Sequence, residues 1–368
     1  GFREMGIRKN SLLLNGNLLR IRGLSDVPSN VLKSEESLFR LKEMGFNSFI
    51  GSPQNENLAK NILTASDKLG LYAHFSLSPP PAEMLADLNA AQAARYYAAR
   101  IQAVQNHPSL FFWRLVGNGY ANGPHGHPLQ LANFENVKDS TGKSASSLLN
   151  DMDPTRPNYY EKFGAGGDMR SITQHFGPSV PIQSIEEWPL AWSETNAEPL
   201  LVTTRLMPLD YFFLWQRERE KRSAAVAEHT VRYLGREAYR KMSRRDMLNL
   251  HRGIADGRGY WSRHPLYSEF VSMSMERILP VWRAMGVSYI LHPEMAKEMG
   301  GTLDLERLKK WNGDIAAFIS GPNESLVSKT HSYFPGEAIS KRVIVLNDTS
   351  RALPVRVDVS WNFSEEGV

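Results

Sequence analysis

Short apolar runs alternate with stretches of helical periodicity from the start of the chain. Leu18 to Gly23 reads as a strand. Ser34 can cap a helix whose first turn carries Glu35 and Glu36, favourable at the positive end of the helix dipole. Leu38, Leu41 and Met44 line one face of that helix, and Gly45 fits just past its end. Phe46 to Ile50 is a second strand. Leu58, Ile62 and Leu69 mark the next helix, again closed by a glycine, Gly70. Leu71 to Leu77 is a third strand, stopped by Pro79, Pro80 and Pro81. Ala82 to Gln105 is Ala-rich and helical, and Leu110 to Val116 is an apolar run of buried-strand type. Strand and helix in repeated alternation, with short links, predict a parallel sheet covered by helices.

Four later runs continue the series: Asn158 to Phe163, Ile172 to Phe176, Leu200 to Thr204 and Val287 to Leu291. Eight strand–helix units in about 300 residues match an α/β fold of the (β/α)₈ TIM barrel type with inserted loops. The C-terminus changes character. Lys341 to Asn347 reads as a strand, and Val355, Val357, Val359 and Trp361 alternate with polar residues at a period of two. That period predicts a half-buried antiparallel strand. Residues 1–325 are therefore expected to form the barrel. Residues 326–368 are expected to supply strands of a following, incomplete β-sandwich, since two or three strands cannot stand alone.

Composition narrows the chemistry. The 368 residues contain no cysteine, which excludes disulfides, Cys-ligated metals and thiol nucleophiles. No apolar run approaches the roughly 20 residues of a membrane helix, so no membrane span is expected. Arg217 to Arg245 holds ten basic residues against four acidic ones, more than the whole chain's net charge of +4. The signs are mixed and no nucleic-acid motif accompanies them, so this reads as a solvated helical surface, with no nucleic-acid partner. His125-Gly126-His127 lacks a third ligand nearby, so no metal or other cofactor is expected. No phosphate loop surrounds Gly164, Gly166 and Gly167, and no serine elbow appears. The opening Gly1-Phe2-Arg3, without Met or a leader-like stretch, reads as part of a longer product.

Several segments together resemble glycoside hydrolase family 2, the β-galactosidase and β-glucuronidase group. LLLNGNLLRIRG (Leu12 to Gly23) is similar to the family's lead-in to its barrel. LKEMGFNSF and TASDKLGLYAHF resemble its second and third barrel strands, and NHPSLFFWRLVGN (Asn106 to Asn118) its fourth. DPTRP (Asp153 to Pro157) resembles the link into the fifth strand, and EPLLVTTR (Glu198 to Arg205) the seventh. YFPGEAISKRVIVLNDTS resembles the opening of an immunoglobulin-like sandwich that follows the barrel in β-galactosidase-like proteins. The resemblance implies carbohydrate as the ligand, further domains of the same polypeptide as partners, and a secreted or periplasmic home. It also implies a retaining mechanism with two carboxylates about 5–5.5 Å apart, one as acid/base and one as nucleophile.

The chain departs from that pattern at the residues that matter most. The family's acid/base position falls on Asn118, or on Gly119 if one residue is inserted. Neither can donate a catalytic proton. Thr204 stands at the nucleophile position, and Ile50 where the family carries an arginine after strand two. Three losses at three strand ends imply removal of an active site, that is, a pseudoenzyme that binds carbohydrate or serves as a structural module. The alternative is an active glycosidase with relocated carboxylates such as Glu187 or Glu294, both expected in loops after strands. Asn118 has two readings, a sugar-hydroxyl ligand or a loop residue tolerant of positive φ. Trp188 and Tyr120 offer faces for sugar stacking. His175 and Arg205 lie at strand ends where a substrate would be held, with a structural histidine and a leftover charge as the competing readings.

Overall fold

The computed structural model describes residues 3–8, 11–25, 27, 29–77, 90–115, 144–160, 167–176, 182–193, 200–206, 236–237, 240–241, 265–291, 305–321, 326, 334–349, 351–358 and 360. Three short strands come first: β1 (Met5–Arg8), β2 (Ser11–Leu14) and β3 (Asn17–Leu19), paired in an antiparallel meander. Asn15 and Gly16, both at positive φ (51° and 77°), turn β2 into β3. That pair of left-handed residues suits the twist of a two-residue hairpin.

The barrel follows. Its strands are β4 (Arg22–Leu24), β5 (Ser48–Gly51), β6 (Tyr72–Ser76), β7 (Leu110–Leu115), β8 (Asn158–Tyr160), β9 (Arg170–Phe176), β10 (Leu200–Leu206) and β11 (Ser288–Leu291). The sheet order is β8-β7-β6-β5-β4-β11-β10-β9, and every pairing is parallel. Each strand thus lies beside its neighbours in sequence, and β11 returns to β4. This is the circular order of a TIM-like barrel, with a ladder at every junction except β8–β9 among the described residues.

Helices between strands form where the sequence places caps. In α1 (Ser29–Leu32) the chain makes one turn before α2 (Glu35–Glu43), whose N-cap Ser34 accepts from the Ser37 amide. Helix α3 (Glu56–Leu69) is capped by Asn55, which accepts from the Leu58 amide at 2.9 Å, and ends on Gly70 at φ 68°. Helix α4 (Ala90–Val104) realises the described part of the Ala-rich stretch. Then come α5 (Ala145–Met152), α6 (Ile182–Ser193), α7 (Pro265–Ala284) and α8 (Leu305–Asn312).

Two apolar layers result. The outer layer packs one face of the strands (Leu24, Phe49, Phe75, Trp113, Val202, Tyr289) against helices through Leu38, Leu63, Ile101 and Trp282. The inner layer fills the barrel with Ile21, Ile50, Phe112, Tyr159, Leu201 and Ile290. Leu12 from β2 joins it, with Leu14 and Leu19 packed alongside, so the meander plugs the N-terminal end of the barrel. Each side chain of this size removed from water stabilises by about 1.5–3 kcal/mol.

Two expectations need correction. The stretch Leu18 to Gly23 is not one strand: β3 ends at Leu19 and pairs with β2, while β4 begins at Arg22 and pairs with β5 and β11. The two pieces also differ in burial: Leu18 of β3 is exposed, whereas every residue of β4 is buried. At the C-terminus, β12 (Ile315–Ser320) and β13 (Arg342–Asn347) form a two-stranded antiparallel ribbon. Its first strand lies before the boundary expected at residue 325. Ala316, Phe318 and Leu346 pack on Val281 of α7. Residues 352–358, expected to pair as a strand, have no regular secondary structure, and Val355 and Val357 are exposed. Alternation supplies a face but not a partner, and among the described residues this segment pairs with no strand.

Candidate functional site

In a parallel barrel the chemistry-bearing end is the one where strands finish. Here the described wall finishes at Leu24, Gly51, Ser76, Leu115, Tyr160, Phe176, Leu206 and Leu291. Asn118, Gly119, Tyr120 and Glu294 lie in the connections after those strands, outside the described residues.

Three sequence-derived positions fall on the wall itself. Thr204 of β10 sits opposite Gln174 of β9 and Leu291 of β11, and Arg205 sits opposite His175. The structure therefore brings His175 and Arg205 to one level on adjacent strands, at the end expected to hold substrate. Glu187 and Trp188, expected in a loop, lie instead in α6. Ile185 and Trp188, three apart, anchor that helix: Ile185 is buried, and the Trp188 ring lies 6.3 Å from that of Trp282 in α7. The Trp282 indole donates to the Ile185 carbonyl at 2.9 Å. Glu187 Oε1 accepts from Gln183, one turn back along α6. Its neighbour Glu186 is fully buried, with Oε2 3.6 Å from Arg277 Nη2. These two carboxylates thus belong to the outer helical layer.

Inside the wall lie buried polar groups outside the candidate positions, His74 and Arg114 among them. His74 is fully buried in β6, its Nδ1 2.9 Å from the Tyr159 hydroxyl of β8. Phe112 and Tyr159 pack on the imidazole at centroid distances of 4.6 and 5.6 Å. Burial, helped by the positive Arg114, pushes the His74 pKa down to about 3, so the ring is neutral at physiological pH. Arg114 of β7 is also buried, with Nη1 3.4 Å from the Ser76 hydroxyl. A histidine in the middle of an apolar strand, as in LYAHFSL, was the available signal. Ile50, at the expected arginine position, is a fully buried member of the inner layer.

The eight described barrel strands contain no aspartate and no glutamate. Well-placed carboxylates sit instead at the N-terminal end. Asp153, from the DPTRP segment, accepts from the Trp113 indole (2.9 Å), Thr155 and Arg156 (3.0 Å). Arg156 in turn donates to the carbonyls of Leu110, Gln105 and His107, tying the start of β7 to the link into β8. Burial pushes the Asp153 pKa up, but its hydrogen bonds from Thr155 and Trp113 and the charge of Arg156 hold it below the usual carboxylate range. Asp67 of α3 accepts from the Ser109 amide at 2.8 Å and pairs with His107 Nδ1 at 2.7 Å. Because the Ser109 hydroxyl donates to the Leu63 carbonyl, this trio caps a strand and is no nucleophilic triad. Asp348, just after β13, meets Arg20, Arg22 and Arg283, each at 2.8 Å.

No protein-family model matches this sequence, and no curated protein matches it either. Solved structures do match. A β-D-mannosidase from Dictyoglomus thermophilum is similar over 94% of this chain and 48% of its own, at 13% identity and a TM-score of 0.51. A GH2 β-galacturonidase from Eisenbergiella tayi aligns over 65% of this chain and 45% of its own (19% identity, TM-score 0.38). A β-glucuronidase from Bacteroides uniformis aligns over 55% and 27% respectively (19%, 0.40). This chain spans about half or less of the length of these enzymes. No helix among the described residues is long and apolar enough to cross a membrane. The likeness is one of fold: the mannosidase match and the circular strand order agree on a TIM-like barrel.

Proposed function

We propose that this barrel is a carbohydrate-binding relative of family 2 glycosidases that does not carry out retaining hydrolysis. The observation that carries this reading is the absence of any carboxylate from the eight described strands, β10 included, where the family's nucleophile would sit. A glycosyl ester needs a carboxylate to form and to leave, and a threonine hydroxyl offers neither in the standard mechanism. The Asn118-Gly119 pair after β7 supports the same reading, because an amide can hold a sugar hydroxyl but cannot trade a proton near neutral pH. The apolar outer face of the ribbon, with Ile315, Ile319 and Val343 exposed, supports a second, sheet-based unit that includes both β12 and β13.

The test is a panel of nitrophenyl galactosides, glucuronides and mannosides, read beside tryptophan fluorescence on adding the free sugars. Binding with turnover no faster than buffer is the expected result. Turnover that disappears in Glu294→Gln or Glu187→Gln would establish relocated carboxylates and overturn the proposal. Silence in both assays would overturn its binding half.

A further inference from the structure

A cavity of about 670 Å³ opens on the N-terminal face of the barrel, the end opposite the strand-end mouth. Its position is fixed by what lines it. Arg22 and Tyr72 are the first residues of β4 and β6, and Gly45 and Gly70 follow the ends of α2 and α3. The meander forms one wall through Leu14, Leu18 and Leu19, and the turn after β13 forms another through Asp348 and Thr349.

Its size falls within the range of small-ligand sites, about 300–1,000 Å³. The floor is prebuilt: Arg22, 3% exposed, donates to Asp348, Asp314 and the Gly45 carbonyl. Asn47 spends both ends of its amide on the backbone of Arg22 and Arg20. Asn15 accepts from the Glu4 amide, which holds the hairpin rim. Other groups are uncommitted. The Tyr72 hydroxyl, the Lys309 ammonium and one oxygen of Asp314, whose side chain is 62% exposed, have no hydrogen-bond partner among the described residues. A tyrosine hydroxyl both donates and accepts, so the set offers donors and acceptors together. Three cations (Arg22, Lys42, Lys309) face three anions (Glu43, Asp314, Asp348), and that balance selects against an ion of either sign. The leucine wall adds an apolar surface.

We propose that this cavity is a second ligand site, for a neutral polyhydroxylated molecule of the saccharide class. Its hydroxyls meet the Tyr72–Asp314–Lys309 set, and a C–H face rests on Leu18 and Leu19. The site is independent of what the strand-end mouth does.

The test is methyl NMR of leucine-labelled protein titrated with lactose, cellobiose and mannobiose, and with glucuronate and glucosamine as charged controls. Saturable shifts of the Leu14, Leu18 and Leu19 methyls with a neutral disaccharide are expected. Tyr72→Phe keeps the ring on Phe111 and should weaken that binding about three- to tenfold, the effect of one hydrogen bond. Asn17→Trp, an exposed rim substitution, should abolish it while the Leu63 and Leu279 methyls, in the outer helical layer, stay in place. Tighter binding of glucuronate or glucosamine than of any neutral sugar would overturn the ligand class. Absence of shifts at these three leucines with every sugar, or shifts that survive Asn17→Trp, would overturn the site.

Discussion

The two ends of this barrel use charge in opposite ways. At the N-terminal end, carboxylates are placed with care: Asp67, Asp153 and Asp348 each bind several donors and each joins segments distant in sequence. Along the strand wall leading to the other end, the described residues carry histidine, arginine, serine and threonine but no acid. In a glycosidase the costly, precisely held carboxylates are those at the mouth. Here the described ones hold the closed end together, and on the proposed reading that contrast separates a fold kept intact from a chemistry given up.

The sharpest way to break this contrast is to remove an acid from the closed end. Asp348→Ala leaves Arg20, Arg22 and Arg283 without their shared partner, and Arg22 and Arg283 are buried. A loss of about 3–5 kcal/mol in urea unfolding is expected, the cost of stranding buried charge. Burial raises the Asp348 pKa, but Arg283, Arg22 and Arg20 outweigh it and hold the carboxyl below its ordinary value. Its contribution is therefore present above the unfolded carboxylate pKa and fades as pH falls through the lower folded value. Wild type should lose this increment in acid, and Asp348→Ala should not.

Gly45→Ala comes next. Gly45 is at φ 82°, and a Cβ there would lie 2.6 Å from the Asn312 carbonyl, closing the approach of α2 to the end of α8. A loss of about 2–4 kcal/mol is expected in the same assay. The wall makes its own prediction through His74. Its pKa of about 3 lies below the model-peptide value of 6.5, so the unfolded chain binds a proton between those values and the folded one does not. Stability should fall as pH drops through that window, by up to about 1.4 kcal/mol per pH unit. His74→Phe should flatten that limb, and an unchanged slope would show that His74 is not held neutral by the fold. Smallest of all is Glu187→Gln, whose partner is the nearby Gln183 on the same helix. It should change stability by no more than about 0.5 kcal/mol.

The barrel was readable because each of its signals is local. Ser34 starts a helix and Gly45 and Gly70 end helices for reasons of cap chemistry and backbone handedness, and the runs at Phe46, Leu71 and Leu110 are buried on both faces. The Leu18 to Gly23 run misled, because burial alone does not say which sheet a strand joins. Glu187 and Trp188 were read as loop residues, yet the helical spacing of Ile185 and Trp188 packs them on α7, a contact 94 residues away in sequence for Trp188 and Trp282. The His74–Tyr159 pair bridges strands 85 residues apart and was equally invisible. Partnership across the barrel depends on closure, which no window of sequence contains.

Asp348 emerges from the ribosome after all eight barrel strands, yet it bonds to arginines at both ends of the barrel sequence, Arg20 and Arg22 near the first strand and Arg283 just before the last. During synthesis the nascent barrel must wait for this aspartate, with those arginines hydrated until it arrives. Contacts spanning more than 320 residues close slowly, so this charge cluster is expected to form late in folding, after the strands it ties together.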